Sequence, residues 1–229
     1  MKYFKFILLA VFLLIVNQNA NAQDWANLQK FQNENNQLMN SGVKENSVVF
    51  MGNSITESWL TFHPEFFEGK PYINRGISGQ TTSQMLLRFR QDVINLKPSV
   101  VVILAGINDI AQNTGPISIE MIAENIKSMA ELAMVNHIKV VLCSVLPAID
   151  FSWRPGLEPA EKIIKLNSLI ETYANAKNIV YVDYFSAMVD SSKGLKKDLG
   201  LDTVHPNKNG YLIMEPLLEK ELKKIFNQN

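Results

Sequence analysis

Four short blocks of the sequence hold residue types that could carry out acyl transfer. In Gly52-Asn53-Ser54-Ile55-Thr56 a serine follows an apolar run and precedes a helix-like segment. At such a strand-to-helix junction the hydroxyl projects at the sheet edge and the backbone N–H points into the same space. Gly52 allows the turn to be tight. The same serine also fits a plain helix N-cap. In Asn74-Arg75-Gly76-Ile77-Ser78-Gly79-Gln80-Thr81-Thr82, Gly79 offers an N–H that no side chain blocks, as an anion-binding concavity requires. An ordinary turn glycine is the alternative. In Gly106-Ile107-Asn108-Asp109 the Asn108 carboxamide is placed to donate to a developing oxyanion, and Asp109 could orient the loop. Asn-Asp after a strand is equally a turn signal.

The fourth block is Asp202-Thr203-Val204-His205-Pro206. Three-residue spacing in a helical turn would put both side chains on one side. The carboxylate could then hold imidazole Nδ1 and leave Nε2 free; a surface ion pair is the other reading. Taken together, the blocks supply a nucleophile, oxyanion donors, a base and the acid that orients it. Ser54, Gly79, Asn108, Asp202 and His205 are the candidate catalytic residues.

The elements that must position them follow from the apolar runs. Segments of strand length stand at 47–51, 72–74, 100–105, 139–144 and 179–182, mostly β-branched and apolar throughout. Continuous apolar strands imply a sheet covered on both faces, as in parallel α/β sheets. Helix-like segments fall between and after them at 82–96, 119–135, 159–176 and 208–226, and 24–39 reads as a polar helix with a narrow apolar stripe. Strand–helix alternation within one domain predicts a doubly wound, three-layer α/β/α sandwich around a five-stranded parallel sheet. Sites in such folds gather at the carboxyl ends of the strands, and the candidate blocks follow predicted strands or lie near the C-terminus.

In order and separation the blocks resemble those of the SGNH (GDSL-type) hydrolase family, over about Val48 to Leu217. The chain is most similar to the branch of platelet-activating-factor acetylhydrolase subunits and bacterial carbohydrate acetylesterases. Asn53 and Ile55 replace the Asp and Leu of the GDSL signature, and neither position reacts in the family. The resemblance implies a flavodoxin-like SGNH hydrolase fold and a Ser54-His205-Asp202 triad. It also implies an oxyanion hole of the Ser54 and Gly79 N–H groups with the Asn108 side chain. The implied activity is a serine esterase acting through an acyl-enzyme on short-chain, above all acetyl, esters of a carbohydrate. Lysophospholipase, lipase or thioesterase activity, or a non-catalytic carbohydrate-binding relative, are the alternatives.

Residues 1–22 have the three-part layout of a secretory signal peptide: Lys2 and Lys5, an apolar run from Phe6 to Val16, and Ala20-Asn21-Ala22. The run is shorter than the roughly 20 residues a membrane span needs. A periplasmic or secreted protein is expected, with one domain over 23–229 and no stable membrane anchor. With 22 basic and 22 acidic residues in the chain, removing the leader's two lysines leaves 20 against 22. That balance offers no footprint for nucleic acid. The lone Cys143, within an apolar run, reads as a buried thiol.

His63, His137 and His205 lack metal-ligand spacing, so neither a metal nor another cofactor is expected. His137 reads as a surface residue, and Trp59, Phe62, Phe66 and Phe67 around His63 read as packing. In the loop after the fourth strand, Trp153 could stack on a sugar and Arg154 could clamp a polar substrate group. An Arg–Trp stack closing the loop is the competing reading. The expected partner is a small-molecule or polysaccharide ester.

Overall fold

A computed structural model describes residues 24–42 and 44–227. The expected leader, 1–22, lies outside them. Five strands form one parallel sheet: β1 (Val48–Gly52), β2 (Tyr72–Gly76), β3 (Val100–Leu104), β4 (Lys139–Cys143) and β5 (Val180–Val182). Their order is β2-β1-β3-β4-β5. Every side chain of β1 and β3 is buried, so their unbroken apolar character has the predicted cause: helices cover both faces.

Eight α-helices are described: α1 (Gln32–Ser41), α2 (Ser54–Phe62), α3 (Thr82–Asp92), α4 (Ile107–Ile110), α5 (Ile119–Val135), α6 (Pro159–Lys177), α7 (Tyr184–Met188) and α8 (Lys208–Asn227). One layer is made by α3, α5 and α6 packed side by side; α2 and α7 pack on α8 in the other. After β2 the chain crosses over β1 to build β3, and the sheet order reverses there. Crevices open beyond the carboxyl ends of strands at such a switch point. Gly52 ends β1 in register with Leu104 at the end of β3 and Gly76 at the end of β2.

Two predicted helices are shorter than expected. From Asp24 to Lys30 the chain makes turns, because the Asp24 carboxylate accepts the N–H groups of Leu28 and Gln29 at 2.7 and 3.0 Å and Asn27 is left-handed at φ 54°. Side-chain bonding of this kind competes with a helical start. The helix after β2 ends at Asp92; Ile94–Leu96 continue as one 3₁₀ turn that closes on left-handed Lys97, ahead of Pro98. The aromatic residues near His63 do pack: Trp59 stacks on Phe66 at 5.0 Å, and Phe50, Phe67 and Tyr72 meet them edge-on or tilted. Cys143 is buried, and burial pushes its thiol up to about 12.

Candidate active site

Ser54 is the first residue of α2, and Asn53 rather than Ser54 caps that helix. Asn53 Oδ1 accepts the Ile55 N–H at 3.0 Å. The serine hydroxyl is therefore left for another partner. Ser54 Oγ lies 3.0 Å from His205 Nε2, and His205 Nδ1 lies 2.8 Å from Asp202 Oδ2. A Cβ on Gly52 would collide with the Thr56 side chain and the Leu104 carbonyl, so the tight turn two residues before Ser54 requires glycine.

Asp202 and His205 do not lie in a helical turn. Leu201–His205 form a series of bends ahead of α8. Asp202 builds this local structure itself: its Oδ1 accepts the N–H groups of Val204 and His205, each at 2.7 Å. The Leu201 N–H donates to the His205 carbonyl at 2.8 Å and closes the bend. Oδ2 then remains for the ring. Burial raises the Asp202 carboxyl, but the backbone N–H and ring of His205 and the N–H of Val204 outweigh that and hold it below the usual carboxylate range. With Nδ1–H donating to an ionised carboxylate, Nε2 is left to accept the Ser54 proton.

After β2 comes a tight turn over Ile77–Gln80, whose Ile77 N–H donates to the Gly52 carbonyl at 3.1 Å. It closes through the Gln80 N–H onto the Ile77 carbonyl at 3.3 Å, with Gly79 at φ 76° in the third position. That position of a type II turn favours glycine, and the Gly79 N–H is not the one the turn consumes. The turn is held from three sides. Glu57, one helical turn after Ser54 and paired with Lys30, accepts the Ser78 N–H at 2.8 Å. Asn113 Nδ2 donates to the Gly79 carbonyl at 3.1 Å, and Asn108 Nδ2 donates to the Gln80 carbonyl at 3.0 Å. Asn108 thus spends one amide hydrogen on the turn and retains a second. Asn108→Ala removes this strut and, with it, the candidate oxyanion donor; kcat should fall about 10²–10³-fold, roughly 2.7–4 kcal/mol. Steady-state kinetics on a simple ester would show it.

Asp109 acts beneath this layer. Its carboxylate accepts the Thr82 N–H at 2.9 and 3.0 Å and the Thr82 hydroxyl at 2.6 Å, joining α4 to the first turn of α3. Asp109 is 1% exposed, and burial pushes its carboxyl from an ordinary 3.8 up to about 6, although both Thr82 donors lower it. Between those values the folded chain binds a proton that the unfolded chain lacks, so this group's contribution to stability falls as pH rises from about 4 to about 6. The stability of the wild type relative to Asp109→Asn should drop by about 3 kcal/mol across that window. Denaturant titrations at a series of pH values test this; parallel curves for the two proteins would contradict it.

The loop after β4 reaches the same edge. The Trp153 indole is 45% exposed, its ring centroid lies 6.0 Å from that of His205, and Nε1 donates to Asn113 Oδ1 at 3.3 Å. Arg154 Nη1 donates to the Gln112 carbonyl at 2.6 Å, which ties this loop to the segment after α4. Trp153 therefore sits beside the imidazole, whereas the Arg154 charge is engaged in bridging loops. Thr203 Oγ1 donates to the Asp150 carbonyl at 3.0 Å and joins the loop to the Asp202 bend.

His63 Nδ1 lies 2.7 Å from Glu215, which also accepts the Trp59 indole Nε1–H at 2.9 Å, so His63 latches the end of α2 to α8. His137 is exposed at the turn before β4. Among the described residues no group of three His, Cys, Asp or Glu side chains is placed to hold a metal ion. Glu57, Asn113 and Thr203 were not legible as site residues. Each acts on a partner 21 to 53 positions away, and a single sequence carries no signal for such pairs.

A family model described as GDSL-like Lipase/Acylhydrolase matches residues 50–213. The structure is similar to that of a GDSL-like lipase from Bacteroides thetaiotaomicron VPI-5482, with 51% identity over 87% of this chain and 98% of that one, and a TM-score of 0.84. It is also similar to a candidate acylhydrolase from Bacteroides fragilis NCTC 9343, with 47% identity over 88% and 98% of the two chains and a TM-score of 0.83. An uncharacterized lipoprotein of Bacillus subtilis, YqeF, is 35% identical over 81 residues. That match spans 34% of this chain and only 33% of YqeF.

Proposed function

Because the chain belongs to the GDSL-like lipase/acylhydrolase family, we propose that it is an exported serine esterase that removes short acyl groups, chiefly acetyl, from a carbohydrate. The observation that carries this reading is the relay in which Ser54 Oγ, His205 and Asp202 stand 3.0 and 2.8 Å apart in sequence. Ser54 Oγ attacks the ester carbonyl while His205 Nε2 takes its proton, and Asp202 stabilises the imidazolium. The oxyanion is met by the N–H groups of Ser54 and Gly79 and by the free amide hydrogen of Asn108. His205 returns the proton to the departing alcohol, then activates the water that releases the acid and frees Ser54.

Two features support a small acyl group on a sugar. Gly79 leaves the oxyanion side open, since a Cβ there would meet nothing nearer than Asn113 Nδ2 at 4.0 Å. The half-exposed Trp153 ring beside His205 offers an apolar platform on which a sugar face stacks. Export is supported by the leader-like residues 1–22 and by the likeness to a lipoprotein. No helix among the described residues is long and apolar enough to cross a membrane.

The test is a nitrophenyl ester series run beside acetate release from acetylated sugars, xylans and pectins. Activity should be highest on the acetyl ester and fall by the octanoyl ester, and at least one carbohydrate should release acetate. Activity that climbs steadily with chain length would favour a lipase or lysophospholipase instead.

A further inference from the structure

The described structure holds one guanidinium with no contact to solvent. Arg88, on the inner face of α3, is 0% exposed. Its Nε donates to Gln80 Oε1 at 2.6 Å and its Nη1 to Asp92 Oδ2 at 2.9 Å. Nη2 donates to two strand-end carbonyls, Gly52 at 3.0 Å and Arg75 at 2.8 Å. Gly52 stands two residues before Ser54, and Gln80 directly follows Gly79. A single planar fork therefore joins the turn that carries the nucleophile to the turn that carries an oxyanion N–H.

The fork is itself held in place. Asp92 Oδ1 accepts from Asn35 Nδ2 at 2.6 Å, and Asn35 Oδ1 accepts from Arg75 Nε and Nη2 at 3.0 and 2.9 Å. Gln80 Nε2 donates to the Ala26 carbonyl at 2.7 Å. Asn35 and Ala26 belong to the segment before residue 50, outside the stretch that the family model matches. Burying an ion pair contributes little stability by itself, and apolar replacements are often neutral. What a guanidinium supplies that an apolar side chain does not is direction, because its donors lie in a rigid plane. Displacing a reacting group by about 1 Å costs up to about 10²-fold in rate.

We propose that Arg88 is a positioning residue for the esterase site, fixing Ser54 and Gly79 relative to each other through the Gly52 and Arg75 carbonyls and Gln80. This rests on the reading of Ser54 as nucleophile. The experiment compares kcat and KM on nitrophenyl acetate for the wild type, Arg88→Met, Arg88→Lys, Ser54→Ala and Leu222→Ala, at a temperature where circular dichroism shows each protein folded. Leu222, buried in the far half of α8, serves as a core substitution that costs stability only.

Arg88→Met should lower kcat about 10- to 100-fold with KM within about threefold of wild type. Arg88→Lys, a point charge that does not reproduce the planar fork, should stay at least about fivefold below Leu222→Ala in kcat. If Arg88→Met does not fold, Arg88→Lys decides the matter by the same threshold. A kcat for Arg88→Lys closer than that to Leu222→Ala overturns the inference, as does a KM that rises as much as kcat falls. An inactive Ser54→Ala beside an unaffected Arg88→Lys sinks this inference alone. A Ser54→Ala protein that keeps its turnover sinks the esterase reading on which it rests.

Discussion

Replacing Ser54 by alanine is expected to lower kcat on a simple acetyl ester by on the order of 10⁶ while KM stays nearly unchanged. The loss is large because, in the proposed relay, His205 and Asp202 drive acyl transfer through Ser54 Oγ, which lies 3.0 Å from His205 Nε2. What survives should be the modest acceleration that the oxyanion donors and binding provide without a covalent step. The fold should tolerate the change. Asn53 supplies the cap of α2, so Ser54→Ala removes no backbone partner. More than a few per cent of residual turnover would show that another group performs the attack.

Asp202→Asn is expected to lower kcat by on the order of 10⁴. The reason is the tautomer. An asparagine at this position still accepts the Val204 and His205 N–H groups through Oδ1, so the bend survives. Its amide nitrogen, however, faces His205 Nδ1 as a donor where Oδ2 had accepted at 2.8 Å. The ring then carries its proton on Nε2, which no longer accepts from Ser54. A variant with unchanged melting temperature and a full loss of kcat supports this account. A drop of less than about tenfold would place the orienting role elsewhere.

Much of the fold was legible because it rests on burial. The runs at Val48–Met51 and Val100–Leu104 are apolar throughout since helices cover both sheet faces, and α5 begins and ends where the sequence predicts, with Ser118 as its cap accepting from Met121. Local side-chain bonding was harder to foresee. Asp24 and left-handed Asn27 turn a stretch that reads as helix, and Asp202 makes a bend where its spacing to His205 suggested a helical turn. At the site, the candidate catalytic side chains stood at strand ends or in a local pair, where type and position suffice to suggest them. Arg88, Glu57 and Asn113 did not, because their meaning lies in partners distant along the chain: Gly52, Ser78 and Gly79. Arg88 in particular lies on a helix with charged and polar neighbours, and only the fold shows that it points inward.

The central claim, that Ser54 is an activated nucleophile, is tested most directly by covalent labelling of the folded protein with a fluorophosphonate, followed by mass spectrometry of its peptides. The account predicts a single adduct on Ser54, formed far more slowly in His205→Ala and not at all in Ser54→Ala. Folded protein that takes up no label, or carries it on another residue, would contradict it.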